Sequence, residues 1–416
     1  MRTALTFMAA AFAVAAHATT LTWIPGSTAK VEQMIGDCDY TAQAKTGQCV
    51  ATTSQTGVRA RVLGTDLGAS FESAGRVIFL FGDTISPSPS ENYLASDTMA
   101  SSVSTDPSKG LLLDFITNND GSPYFVRIPG VRMGAGEVPH AGIRLNGSTY
   151  VAVNTGTDIN LPDPNLNEYS VLTRFDETVR RFTVLRTISS RPNGKFVTTA
   201  LRQSGNDVYI FGLGVYRGSD VYLSVVAAAD FESGRGTRYY TGLVNGQPTW
   251  STSEADAQPV VPDNPLNIPN YTPGIGNVSV IYSNELHLWL MTYDSFRSSP
   301  ETQGFYFTYA SDPWGPWQRP QLMFNATRDG AAGTFIHDPR ISPSDRLTGP
   351  TIGPNDPVST PGGPYAPYMI ERFTRVAGRT LSIYYTLSTW NPYTIVMMRS
   401  DFSVSEGSSR RRSARH

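Results

Sequence analysis

The chain has 416 residues, with 33 Lys and Arg against 35 Asp and Glu, a net charge of −2. No global basic field exists to draw in nucleic acid or anionic lipid. Gly (37), Pro (29) and Tyr (20) are plentiful, only 16% of residues are charged, and no 3.6-residue apolar pattern runs for any length, so many short strands and turns are expected rather than helices.

Residues 1–18 have the layout of a secretory signal peptide. Arg2 supplies the positive start, 4–16 the apolar run, and Ala16-His17-Ala18 the cleavage site. The run is shorter than the ~18 residues a membrane span needs, and no later segment is long enough either. The expectation is a secreted, extracellular protein without a membrane span. Cys38 and Cys49, the two cysteines, are then expected to form a disulfide in an N-terminal extension, 19–61. The sequons at Asn146, Asn270, Asn277 and Asn325 are about as many as chance supplies at this Ser/Thr content, and say little about glycosylation.

From Val62 a loose repeat appears. Each copy has a short strand, a polar turn and a nearly continuous apolar or aromatic strand, at 77–81, 149–153, 208–213, 286–292 and 381–387. The turns before them include Ser73-Ala74-Gly75, Asn146-Gly147 and Ala377-Gly378. Five such antiparallel units predict an all-β, five-bladed β-propeller over 62–405. Pro/Asn/Asp-rich insertions at 154–167, 259–273 and 340–363 would form the rim of a cleft. A β-sandwich with a second domain is the competing fold, but no low-complexity linker divides the chain. Residues 406–416 form a basic, solvated tail with Arg410, Arg411, Arg412 and Arg415.

No nucleophile elbow, phosphate loop, dinucleotide fingerprint or H-E-x-x-H pattern occurs. Outside the leader and the tail the histidines are His140, His287 and His337, too scattered for a zinc site, so no cofactor and no catalytic metal are expected. His337 beside Asp338 is the one hint of a structural calcium. Carboxylates remain. Val77-Ile78-Phe79-Leu80-Phe81-Gly82-Asp83-Thr84 is a buried strand that bends at Gly82 and presents Asp83. A hairpin through Ser73-Ala74-Gly75 would bring Asp66, in Gly64-Thr65-Asp66-Leu67-Gly68, to the same end. Hydrolysis of a glycosidic bond needs such a pair: one protonated acid at the leaving oxygen, and one carboxylate acting on water or the anomeric carbon. The bland alternative for either aspartate is a turn cap. Tyr216-Arg217-Gly218-Ser219 and Ser388-Thr389-Trp390-Asn391-Pro392-Tyr393 add rings, a guanidinium and hydroxyls suited to sugars, although single aromatics more often fill the wedge between blades.

These pieces, with Val138-Pro139-His140-Ala141-Gly142, Gly276-Asn277-Val278-Ser279-Val280 and Asp312-Pro313-Trp314-Gly315-Pro316-Trp317, occur in order over 62–402. Together they resemble a family first described as domain of unknown function 4185 and since recognised as glycoside hydrolase family 183, the endo-D-arabinanases. The resemblance implies a five-bladed propeller cleaving internal bonds of D-arabinan, the furanose polymer of mycobacterial arabinogalactan and lipoarabinomannan. It implies Asp66 and Asp83 as the catalytic pair at the mouth of the channel. His140, Arg217, Ser219, Asn277, Trp390 and Asn391 are the expected substrate contacts, in a monomer acting on a polysaccharide. One departure stands out: relatives often have Gly-Glu where this chain has Gly276-Asn277, and an amide cannot exchange a proton in catalysis. That favours the alternative of a non-catalytic carbohydrate-binding propeller. A structural surface protein is a blander alternative, and a sialidase-like propeller is disfavoured because its repeated Ser-x-Asp-x-Gly-x-x-Trp boxes are missing.

Overall fold

The computed structural model describes residues 19–87, 96–156, 169–264, 274–295, 301–342, 345–352 and 358–406. The expected signal peptide, nearly all of the basic tail and parts of the three expected insertions lie outside the described residues. Five antiparallel sheets follow one another along the chain as the blades of a β-propeller. Blade I comprises Leu67–Ser73, Arg76–Phe81, Thr98–Ser102 and Asp114–Phe115. Blade II comprises Pro139–Leu145, Ser148–Thr155, Tyr169–Asp176 and Arg181–Ser190. Blade III starts with Thr198–Ser204, Asp207–Leu213 and Val221–Ala227, and blade IV is Ile275–Ser283, Leu288–Ser295, Gly304–Ala310 and Gln321–Phe324. In blade V, Thr380–Trp390 pairs with Tyr393–Glu406.

The five apolar runs expected from sequence are the second strands of blades I to IV and the strand Thr380–Trp390 of blade V. Each is buried on both faces because a blade is sandwiched between two others. In blade I, Val77, Phe79 and Phe81 pack with Ile395 and Met397 of blade V, while Leu80 packs with Val151, Val153 and Val171 of blade II. The turns are of the expected kind. Ala74 and Gly75 have φ 48° and 81°, and Asn146 and Gly147 have φ 47° and 86°, as tight hairpins with a right-handed twist require.

The ring closes through blade V. Thr19–Trp23 and Ala29–Gln33, from the segment set apart as an extension, both pair antiparallel with Tyr393–Glu406. An unpaired outer strand would expose a row of backbone donors and acceptors, and the start of the chain covers that row. The Cys38–Cys49 disulfide is present, clipping the short helix Tyr40–Thr46, which Asp39 caps by accepting from the Ala42 amide at 3.0 Å. The first strands of the blades surround a shaft; toward one end it opens into a cavity of about 280 Å³ lined from all five blades by residues including Phe71, Ile143, Arg202, Ser279 and Glu371.

Candidate active site

The site is built at the other end of blade I. Asp66 precedes Leu67, which adopts φ 67°, and Gly68, at φ 75°. The ladder slips by one residue there, between Leu67 and Ala69, a bulge of the kind that re-aims a side chain at a sheet end. The Leu67 amide is held by Ser388 Oγ of blade V at 2.9 Å. Asp66 is thereby turned over the neighbouring strand, where its carbonyl accepts from the Gly82 amide at 3.2 Å. A Cβ at Gly82 would collide with Asp66 Oδ1. Glycine stands before Asp83 to admit the other carboxylate.

Asp66 and Asp83 are both partly buried, and they differ in what surrounds them. Asp66 Oδ2 accepts from the Tyr365 hydroxyl at 2.7 Å. Burial raises its pKa to about 6, against the opposing pull of the Tyr365 and Tyr393 hydroxyls. Asp83 is pushed well above the carboxylate range by burial and then by the charge of Asp66, while an amide bond from Gly136 opposes. Its carbonyl accepts from the Tyr393 hydroxyl at 2.5 Å. The environment therefore separates the two groups, pushing Asp83 further above the carboxylate range than Asp66.

A third carboxyl, Asp97, belongs to the same end of blade I and is 1% exposed. Burial, then the charges of Asp83 and Asp66, raise it well above the carboxylate range, with Arg127 opposing. Among the described residues neither of its oxygens has a hydrogen-bond partner, and the same is true of Asp66 Oδ1 and Asp83 Oδ1. Sequence reasoning passed over Asp97, although Asp97-Thr98 repeats Asp83-Thr84 one strand later. The hydroxyls of Thr84 and Thr98 meet at 3.0 Å.

The opposite wall comes from blades III, IV and V. The Trp390 ring lies 5.5 Å from that of Tyr365 at 30°. The Arg217 guanidinium sits 4.7 Å from the centre of the Tyr216 ring and 5.9 Å from that of Trp390. Two of the expected substrate contacts, Arg217 and Trp390, thus stand beside the tyrosine that binds Asp66. Asn277 is 5% exposed and links two phenols, donating to Tyr368 Oη at 3.0 Å and accepting from Tyr216 at 3.3 Å. Its backbone N–H donates to Asp294 Oδ1 at 2.5 Å. Asp294, also missed from sequence, is raised to about 7 by burial, with Arg217 opposing, and its carboxyl occupies the space a Cβ on Gly276 would need.

The remaining expected contacts are engaged within the protein. His140, 1% exposed, places Nε2 3.1 Å from Thr199 Oγ1, and burial lowers its pKa to about 3, leaving a neutral imidazole. Ser219 Oγ accepts from the Gly214 amide and donates to the Asp220 carbonyl, both at 2.9 Å. Asn391 donates to the Thr360 carbonyl at 2.7 Å. Among the described residues no group of three or more His, Cys, Asp or Glu side chains is placed to hold a metal ion. His337 directs Nδ1 to Asp345 at 2.7 Å and Nε2 to the Val358 carbonyl at 2.8 Å, while Asp338 pairs with Arg340 at 2.8 Å.

A family model described as a domain of unknown function (DUF4185) matches residues 51–399. No curated protein matches the chain. Among solved structures, a candidate hydrolase from Bacteroides ovatus superposes with a TM-score of 0.51 at 14% identity, over 91% of this chain and 93% of the other. An α-L-arabinofuranosidase from Lactobacillus brevis gives 0.45 at 9% identity, over 82% and 90%. A thermostable family-43 glycoside hydrolase gives 0.42 at 11% identity, over 83% and 95%. At 14% identity the likeness to the first of these is one of fold.

Proposed function

The chain belongs to the DUF4185 family, and on that premise we propose that it is a secreted glycoside hydrolase that cleaves internal arabinofuranosyl linkages of D-arabinan. The observation that carries the reading is the pair Asp66 and Asp83, held at one end of adjacent strands where Gly82 leaves room for the Asp66 carboxylate beside Asp83. Asp83, protonated, is the donor to the leaving glycosidic oxygen. Asp66, ionised, acts on water or on the anomeric carbon. Its Oδ2 is oriented by the Tyr365 hydroxyl, which also stabilises the charged form. Trp390 offers a flat apolar face to a furanose ring, and Arg217 offers donors to its hydroxyls. The disulfide suits an oxidising compartment outside the cell, where a polymeric substrate would be met.

The test is incubation of the purified protein with mycobacterial arabinan, followed by chromatography of released oligosaccharides. Wild type should release short oligomers, and Asp83→Asn and Asp66→Asn should each lower the rate by at least ~10³-fold. No release by wild type, or undiminished release by Asp83→Asn, overturns the reading. Binding to arabinan without turnover would instead support a carbohydrate-binding propeller.

A further inference from the structure

Four buried carboxylate oxygens without a hydrogen-bond partner among the described residues cluster at one end of blade I: Asp66 Oδ1, Asp83 Oδ1 and both oxygens of Asp97. Buried polar atoms are nearly always satisfied, so such a group calls for a specific explanation. An ionised carboxylate at 1% exposure with no donor would be prohibitively costly. A neutral carboxylic acid in the same place has a proton to donate.

The strand register identifies the acceptor. Phe81 pairs with Thr98 at the last step of the ladder, and Gly82 and Asp97 are the residues next to that pair on the two strands. Side chains alternate along a strand. Asp97 therefore falls on the same face as Met99 and Leu80, which both pack toward blade II. That is also the face of Gly82 where Asp66 Oδ1 and Val138 lie. Asp66 Oδ1 reaches Gly82 from one neighbouring strand, beside Leu67 and Val138, and Asp97 leads into the strand on the other side.

We propose that Asp97 is a positioning residue, a protonated carboxylic acid that donates across Gly82 to Asp66 Oδ1 through one water, and so holds Asp66 ionised and correctly turned. Tyr365 already occupies Oδ2, and Asp97 completes the other oxygen. The inference rests on the catalytic roles given above. The charged and titratable groups around Asp97 are Asp66 and Asp83 of blade I, Arg127 on the loop after it, and Glu137 leading into blade II. Tyr365 and Tyr393 face Asp66 from blade V. The direction of the Asp97 pKa agrees with a neutral acid.

Two variants separate this role from a structural one. Asp97→Asn keeps the size and supplies an amide donor, whereas Asp97→Ala removes the donor. The readouts are the acid limb of the kcat/KM profile and, independent of activity, ¹³C NMR titration of aspartate carboxyls, with Asp66 assigned by its loss in Asp66→Asn. Losing a donor to the charged form raises a carboxyl pKa. In Asp97→Ala the Asp66 titration and the acid limb should both move up by about one pH unit, an approximately tenfold loss of rate below the limb. Asp97→Asn should leave both near wild type.

An unmoved Asp66 titration in a folded Asp97→Ala protein overturns the proposal. So does a downward shift in Asp97→Asn, which would mean that Asp97 carries charge. If the protein lacks hydrolase activity while the NMR titrations shift as stated, the catalytic reading fails and the donor role of Asp97 survives.

Discussion

The Tyr365 hydroxyl donates to Asp66 Oδ2 at 2.7 Å, joining residues 299 apart in sequence across the seam where blade V meets blade I. Thr19–Trp23 and Ala29–Gln33 close the ring in that same blade V. The geometry of the candidate base thus depends on closure of the propeller.

Removing this hydroxyl should alter protonation before it alters folding. In Tyr365→Phe the charged form of Asp66 loses a hydrogen bond of the ionic kind, usually worth about 1.5–3 kcal/mol. The Asp66 pKa, about 6 in the wild type, should rise. The expected result is an acid limb displaced upward by at least ~1 pH unit and little change in kcat/KM on the alkaline side, as measured by a pH–rate profile.

Gly82→Ala should be far more damaging than a Gly→Ala change on an ordinary strand. Gly82 is absent from the positive-φ positions, so its backbone accommodates alanine, but the added methyl collides with Asp66 Oδ1. Oligosaccharide release should fall at least ~10²-fold because the carboxylate is displaced from its reactive position. The thermal midpoint should drop by only a few degrees, corresponding to about 1 kcal/mol.

Substitutions on the facing wall should act on substrate affinity. Trp390→Ala removes the ring that packs on Tyr365 and lies beside Arg217. KM for arabinan should rise by roughly 10–100-fold with a smaller change in kcat, consistent with the energy of an aromatic contact. Arg217→Lys should retain only part of the affinity, because an ammonium lacks the planar fork of donors. Steady-state kinetics on soluble arabinan fragments measure both.

Stability should fall as pH rises through the range in which these buried acids ionise. Asp66 at about 6 and Asp294 at about 7 lie above the 3.8 of an exposed aspartate. Between those values the native state binds more protons than the unfolded chain, so their stabilising contribution is complete below about pH 4 and is lost progressively up to about pH 7. For Asp294 the loss is on the order of a few kcal/mol. Urea unfolding at pH 4.5 and 7.5 should show a smaller difference for Asp294→Asn than for wild type.

Reducing the Cys38–Cys49 bridge should lower the thermal midpoint. The cysteines are 11 residues apart, and closing a loop of that length stabilises by roughly 3 kcal/mol in the chain-entropy picture. Differential scanning calorimetry with and without reductant checks it.

The amino-acid order by itself determined the short-range features. Apolar runs buried on two faces mark one strand in each of the five blades, and Ala74-Gly75 and Asn146-Gly147 supply turns that need positive φ. Asp66 and Asp83 come together because one tight hairpin joins their strands. These features depend on neighbours within about twenty residues, so periodicity and turn chemistry reveal them. Only the tertiary structure decided that Tyr365 and Tyr393 serve Asp66 and Asp83, that Asp97 is buried at the same end of blade I, and that Asn277 ties Tyr216 to Tyr368. Proton affinity is set by burial and by contacts made across blades, and residues hundreds of positions apart meet there only after the ring has closed.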